Sequence, residues 1–317
     1  PRISRNGETI VFRYQFEFYR YHPLTEEPPK KIEIWSATDT ERKVSRRRWY
    51  DSAWNNEASQ GLAWTDDFLE MSFSAGGDLL VMDTILREPR LVCGSTSSHE
   101  TEVVFDKEDE TLFFLRDFGD HVGIWKARKD DPDDYWFNAK KFIIEPFSDD
   151  STAKTIMKLS PDGKQLAYVR GRGELVITDI RAHKPMTLFN SDVRPWYEWS
   201  PDGKQIAFTT WSDTNRGQIA IVSSNGGKPK FLKLDKGHYF DPSWSSDGTH
   251  LVYRKGGGSW IRGRDYGADT GIYTIKIKGG KPQFVSKAGD EPRFTSKDSR
   301  VLLMGKEKGN SALYSVD

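Results

Sequence analysis

The chain has 317 residues, and its 47 Lys+Arg balance 47 Asp+Glu to a formal net charge of zero. Aromatics reach 13%, with 18 Phe, 12 Tyr and 11 Trp, which excludes a disordered chain, since disorder needs few aromatics and a large net charge. The charge balance argues against nucleic acid or an anionic membrane as the main partner. Aliphatic runs such as Leu79-Leu80-Val81-Met82 fall far short of the roughly 20 residues that span a bilayer, so no membrane insertion is expected.

One cysteine, Cys93, allows no intramolecular disulfide and no cysteine cluster for a metal. Bacterial periplasm and cytoplasm are both compatible with that usage. The chain begins at Pro1 without a signal-peptide pattern, and Pro1 and Asp317 read as boundaries within a longer protein.

Taken in chain order, seven segments share one grammar. Ile3-Ser4-Arg5-Asn6-Gly7 precedes Ile10-Val11-Phe12, Trp64-Thr65-Asp66-Asp67 precedes Leu69-Glu70-Met71, and Phe105-Asp106-Lys107-Glu108-Asp109 precedes Leu112-Phe113-Phe114. The sharpest copies are Leu159-Ser160-Pro161-Asp162-Gly163-Lys164, Trp199-Ser200-Pro201-Asp202-Gly203-Lys204 and Trp244-Ser245-Ser246-Asp247-Gly248-Thr249. Phe294-Thr295-Ser296-Lys297-Asp298-Ser299, ahead of Val301-Leu302-Leu303, closes the series. Each apolar residue at the head of a copy ends a first strand. A tight turn follows, in which Pro fixes φ and Asp-Gly supplies a side-chain bond and a positive φ. Third strands are expected at Leu79–Asp83, Leu175–Asp179, Ile219–Ser223, Ile272–Lys276 and Leu313–Val316, and fourth strands open at Pro89, Pro229 and Pro282.

Strands this short, with turn signals every few residues and no helical periodicity, predict an all-β fold. Seven units in 317 residues give about 45 residues each, the period of a four-stranded propeller blade. The expected architecture is one β-propeller domain of about seven blades of four antiparallel strands, with the last blade lacking its fourth strand. The units fall at about 1–36, 62–94, 102–146, 157–189, 196–233, 241–286 and 291–317. A β-sandwich is the rival, and the turn repeated at near-fixed spacing disfavours it. Two stretches break the period. Residues 37–61 carry Arg46-Arg47-Arg48, Trp49, Tyr50 and Trp54, and residues 129–156 carry Asp130, Asp131, Asp133, Asp134, Tyr135 and Trp136. Both read as inter-strand insertions on one rim, where such scaffolds place binding surface.

The Ser-Pro-Asp-Gly-Lys turn followed by a short apolar strand resembles the TolB-like and tricorn-like propeller repeat, over essentially the whole chain and most strongly over 157–300. Gly76-Gly77-Asp78-Leu79-Leu80-Val81-Met82-Asp83, Gly123-Ile124-Trp125-Lys126-Ala127-Arg128 and Tyr168-Val169-Arg170-Gly171-Arg172-Gly173-Glu174-Leu175 look like the propeller ahead of the catalytic half of tricorn-like serine peptidases. Tyr253-Arg254-Lys255-Gly256-Gly257-Gly258 and Gly271-Ile272-Tyr273 look instead like propellers fused to metal-dependent amidohydrolases. The resemblance implies a C-terminal catalytic domain with a Ser nucleophile, none of which lies in this chain, so no catalytic residue carries over.

The residues themselves point the same way. His22, His99, His121, His183, His238 and His250 form neither His-x-His nor His-Glu-x-x-His, and no nucleophile elbow or phosphate loop occurs. No catalytic residue, metal or cofactor is therefore expected. Asp130–Asp134 lacks the spacing of a calcium loop and reads as a solvated segment. Candidate ligand-binding residues are Arg170 and Arg172 with Arg262 and Arg264, placed on equivalent turns where planar guanidinium groups would form a positive collar for a carboxylate. Solvated turns or inter-blade ion pairs are their plainer reading. His238, beside Tyr239 and Phe240, is the candidate rim binder. The expected role is a non-catalytic propeller that binds, sieves or docks peptide or protein substrate for a larger hydrolase, with a C-terminal catalytic domain as the other partner. The alternatives are a free-standing TolB-like interaction scaffold, an amidohydrolase-fused propeller and a propeller with its own channel chemistry.

Overall fold

The computed structural model describes residues 2–4, 8–14, 17–25, 27–33, 61–106, 108, 110–148, 150–212, 215–235, 237–257, 269–307 and 309–317. Every regular element among them is a β-strand, and the strands form seven antiparallel meanders in chain order. Six sheets have four strands and the seventh has three, the β-propeller expected from the repeat. Among the described residues no helix is long and apolar enough to cross a membrane.

The chain divides into two compact units, Pro1–Arg47 and Arg48–Asp317. The first holds sheet 1, from Arg2–Ile3 to Lys30–Ile32, with Phe12 opposite Tyr19 and their rings stacked at 5.8 Å. The second holds sheets 2 to 7, whose first strands are Leu62–Trp64, His99–Phe105, Lys154–Leu159, Tyr197–Trp199, His238–Trp244 and Asp290–Phe294. Ile3, Trp64, Phe105, Leu159, Trp199, Trp244 and Phe294 are each the last residue of a first strand, where the repeat puts them.

A four-stranded sheet has two faces, and strand alternation sends successive side chains to opposite ones. In the second strand of sheet 4, Leu166 and Tyr168 pack toward sheet 3 while Ala167 and Val169 pack toward sheet 5. Sheet 3 divides Leu112 and Phe114 from Phe113 and Leu115 in the same way. The outcome is one apolar cluster at each of the five junctions between successive sheets from 2 to 7.

The turns obey the expected chemistry. Ser160 Oγ donates to Asp162 Oδ1 at 2.6 Å and accepts Gln165 N–H at 2.9 Å, and Gly163 takes φ 71°. The same bonds recur at Ser200, Asp202 and Gln205, and at Ser245, Asp247 and His250. The Ser245 hydroxyl and the Thr249 backbone and hydroxyl hold the Asp247 carboxyl down at about 2.

Of the two long stretches, one is revised and the other is not described. Residues 129–156 are not one insertion: Phe142–Ser148 is the fourth strand of sheet 3 and Lys154–Leu159 opens sheet 4, which leaves 130–141 as the connection. Trp136 in that connection is buried, edge-on to Phe105 at 5.5 Å and stacked on Phe142 at 5.8 Å, because it fills the junction between sheets 2 and 3. Residues 37–61, with Arg46–Arg48, lie outside the described residues apart from Gly61.

Cys93 is buried in that same junction, and burial together with the Glu100 carboxylate pushes its thiol up to about 11. The thiolate being the nucleophile, a disulfide reagent at pH 8 should label the folded chain far more slowly than the urea-unfolded chain. Equal labelling rates would show that the junction opens readily.

Candidate functional site

The first strands of sheets 2 to 7 together line one cavity of about 310 Å³. How they aim side chains into it follows from a shared irregularity. Pairing slips around Glu102, between Thr155 and Lys158, between Phe240 and Ser243, and between Asp290 and Arg293. At each slip one residue adopts the left-handed conformation: Glu102 at φ 44°, Ile156 at 53°, Asp241 at 51° and Glu291 at 49°. A bulge of this kind bends a strand and re-aims a side chain. The bulge residue sits three positions before the closing aromatic or leucine, and so does Trp196 in sheet 5.

The wall carries charge of both signs. Lys158 Nζ lies 2.7 Å from Glu198 Oε2, and Arg293 Nη1 lies 3.6 Å from the same oxygen, so one carboxylate ties sheets 4, 5 and 7. Glu102 Oε2 accepts the Met157 N–H at 2.8 Å, crossing from sheet 3 to sheet 4. Burial pushes the Glu102 carboxyl up, against the pull of the Met157 and Ile156 amides and the Arg194 and Lys158 cations. Burial also raises Asp241, whose Oδ2 lies 3.6 Å from Arg254 Nε; the same nitrogen lies 3.1 Å from Asp290 Oδ1. Arg194 is exposed over the Trp196 ring at 6.0 Å. Pro242 and Pro292 follow the bulge acids, and with Leu62, Val103 and Met157 they make the apolar part of the wall.

This arrangement can bind and orient. Among the described residues no group of three or more His, Cys, Asp or Glu is placed to hold a metal ion.

The residues expected from sequence lie elsewhere. Arg170 is spent within sheet 4, its Nε and Nη2 donating to Glu174 at 2.7 and 2.8 Å. Arg172 is exposed at the tip of that hairpin, outside the cavity lining. Arg262 and Arg264 lie outside the described residues. His238 is 5% exposed, its ring flat on Trp211 at 3.7 Å and parallel to Phe240 at 6.1 Å, so it serves packing and does not stand on a rim. Sequence reading missed Glu102, Lys158, Arg194, Trp196, Glu198, Asp241, Glu291 and Arg293. Glu102, Trp196, Asp241 and Glu291 stand three residues before a strand-closing residue, and Lys158, Glu198 and Arg293 one before it, positions that carry no common side-chain chemistry.

Sheets of this kind, each packed on the next, define a β-propeller, and the first strands of sheets 2 to 7 wall its cavity. No protein-family model matches the chain. Over 88 residues it is 32% identical to the Tol-Pal system protein TolB of Alcanivorax borkumensis, a match that takes in 28% of this chain and 18% of that protein's length. The fold is similar to oligogalacturonate lyase from Vibrio parahaemolyticus, at 12% identity and a TM-score of 0.61, over 99% of this chain and 88% of that one. It is similar also to the tricorn protease, at 14% identity and a TM-score of 0.50, over 98% of this chain and 37% of that one. The chain shares the β-propeller fold of these proteins.

Proposed function

We propose that the propeller is a non-catalytic module that takes an extended peptide into its axial cavity, docking or sieving substrate for a larger hydrolase. The observation that carries this reading is the wall itself: six strands from six sheets converge on one space lined by aligned carboxylates, three cations and Trp196. A volume of about 310 Å³ sits at the small end of ligand pockets, roughly 300–1,000 Å³, and suits a few residues of extended chain. Mixed charge favours a zwitterionic or polar chain over a uniformly charged polymer. The fold does not choose the chemistry, since a lyase and a protease share it.

The purified chain should bind an unstructured peptide without cleaving it. Peptide titration at two salt concentrations should show weaker binding at high salt, because Arg194 and Arg293 on the cavity wall are solvent-exposed and their fields are screened. Arg194→Ala and Trp196→Ala should each weaken binding about tenfold, in the range for a charged or aromatic contact at the centre of a site. Arg172→Ala tests the hairpin arginine separately. Cleavage that survives removal of contaminating proteases would overturn the module reading in favour of a propeller enzyme.

The similarity to TolB supports a second reading, a scaffold that binds folded protein partners and feeds no catalytic domain. Peptide binding insensitive to both Arg194→Ala and Trp196→Ala, with a folded partner retained, would favour it.

A further inference from the structure

Sheet 2 departs from the repeat at one end only. Its first turn places Phe68-Leu69 where sheets 4, 5 and 6 have Gly163-Lys164, Gly203-Lys204 and Gly248-Thr249. The equivalence is fixed by a backbone bond. Thr84 N donates to Leu69 O at 2.9 Å, as Ile180 N does to Lys164 O, Ser224 N to Lys204 O and Ile277 N to Thr249 O. Phe68 sits at φ 59°, beside 71°, 69° and 67° for the three glycines. A bulky side chain rarely occupies that region, and strain of this sort gathers at functional positions.

The second turn at the same end is altered too. Ile85-Leu86 stands where the other sheets have Arg181-Ala182, Asn225-Gly226 and Lys278-Gly279. Phe68, Ile85 and Leu86 are 69%, 79% and 69% exposed, and Trp64 and Leu69 join them beside the same turns. The Trp64 ring lies 6.4 Å from that of Phe68. Asp83 accepts the Ile85 N–H at 2.9 Å and bonds Leu86 N–H as well, fixing the second turn in shape. Two solvent-facing turns whose counterparts in sheets 4, 5 and 6 carry polar or small residues have become one apolar surface.

Its surroundings are acidic. The exposed charges on the two turns are Asp66, Asp67 and Glu88 against Arg87. The connection 130–141 is pinned to the same sheet, by Phe137 N–H to Glu70 Oε1 at 2.9 Å and by Arg90 to the carbonyls of Phe137 and Lys140. It adds exposed Asp130, Asp131 and Asp133 against Lys140 and Lys141.

We propose that these two turns are a docking surface for a partner protein segment that presents a stripe of large apolar side chains flanked by lysine and arginine. The apolar patch supplies burial, and the acidic rim selects the sign of the flanking charge. A second copy of the chain would set acidic rim against acidic rim, and an anionic membrane meets the same repulsion.

The test uses the full chain and two stapled amphipathic helices with a leucine face, one with lysines on its polar face and one with glutamates. The lysine helix should bind by fluorescence anisotropy and the glutamate helix much more weakly. Phe68→Gly should lower affinity about tenfold or more, as truncation of an aromatic anchor does. Its thermal midpoint should hold or rise, since glycine is the residue the turn geometry fits. The double variant Ile85→Ser with Leu86→Ser should also lose binding, and Asp66→Asn with Glu88→Gln should erase the preference for lysine. Affinity unchanged in Phe68→Gly, equal affinity for both helices, or no binding at the highest soluble concentration overturns the proposal. So does self-association, or adsorption to phosphatidylglycerol vesicles, that Phe68→Gly abolishes, since either names a different occupant.

Discussion

Replacing Trp199 with alanine should cost about 3–5 kcal/mol of folding free energy, the range for deleting a large buried aromatic. Trp199 is 5% exposed and closes the first strand of sheet 5, and its ring sits in the cluster formed by Val169, Leu175, Phe208 and Val222. Its indole N–H donates to Lys158 O at 3.3 Å in sheet 4, and Trp244 does the same one sheet later, to Glu198 O at 3.2 Å. Lys158 and Glu198 hold the same place in their strands, so the bond is a repeated tie between a sheet and the one before it. Trp199→Phe keeps most of the packing and loses the tie, and should cost about 1 kcal/mol, the net value of one hydrogen bond. Equilibrium denaturation measures both, with coincident probes to establish two-state behaviour in a repeat protein. A loss below about 1 kcal/mol for the alanine variant would contradict the burial seen here.

The repeat made the fold legible because each copy joins a strand-closing apolar residue to a polar turn, sharpest where Ser, Asp and Gly stand together in sheets 4, 5 and 6. Trp199, Trp244 and Phe105 could be assigned to sheet junctions from spacing alone. The same spacing placed the first two strands of the seventh sheet, which close at Phe294 and open at Val301. The cavity was not read, because its residues are chemically unlike one another. Ile156, Trp196, Asp241 and Glu291 share a backbone position and no side-chain property, and a bulge leaves no compositional mark. Arginine on turns drew attention through chemistry, yet Arg170 meets a carboxylate four residues away in its own hairpin. His238 looked like a rim residue because it stands ahead of a blade, but it is the first residue of the strand and is buried against Trp211.

Stability should peak at mildly acidic pH, and Glu102 should account for part of the rise. Burial raises the carboxyls of Glu102, Glu70, Glu100 and Asp241. A carboxyl that holds its proton more tightly in the folded chain adds stability as pH falls through its folded value toward its unfolded one. The turn aspartates oppose this at lower pH. Hydroxyl bonds from Thr65, Ser160, Ser200 and Ser245 hold Asp67, Asp162, Asp202 and Asp247 below the ordinary range. Their stabilisation is complete above the unfolded value near 4 and is lost as pH falls toward about 2, where Asp247 titrates. The thermal midpoint should therefore climb as pH falls from neutrality toward the ordinary carboxylate range and drop below about pH 4. Glu102→Gln keeps an oxygen for the Met157 N–H and removes the buried charge, so it should flatten the climb at little cost near neutrality. Glu102→Ala leaves that buried amide unanswered and should cost about 1–3 kcal/mol. Both residues carry a Cβ, so the left-handed backbone at Glu102 is equally strained in wild type and variant, and the difference reports the bond between sheets 3 and 4. A midpoint that falls steadily from pH 7 downward, or a Gln variant with the wild-type climb, would mean that Glu102 is hydrated in solution and does not bridge the two sheets.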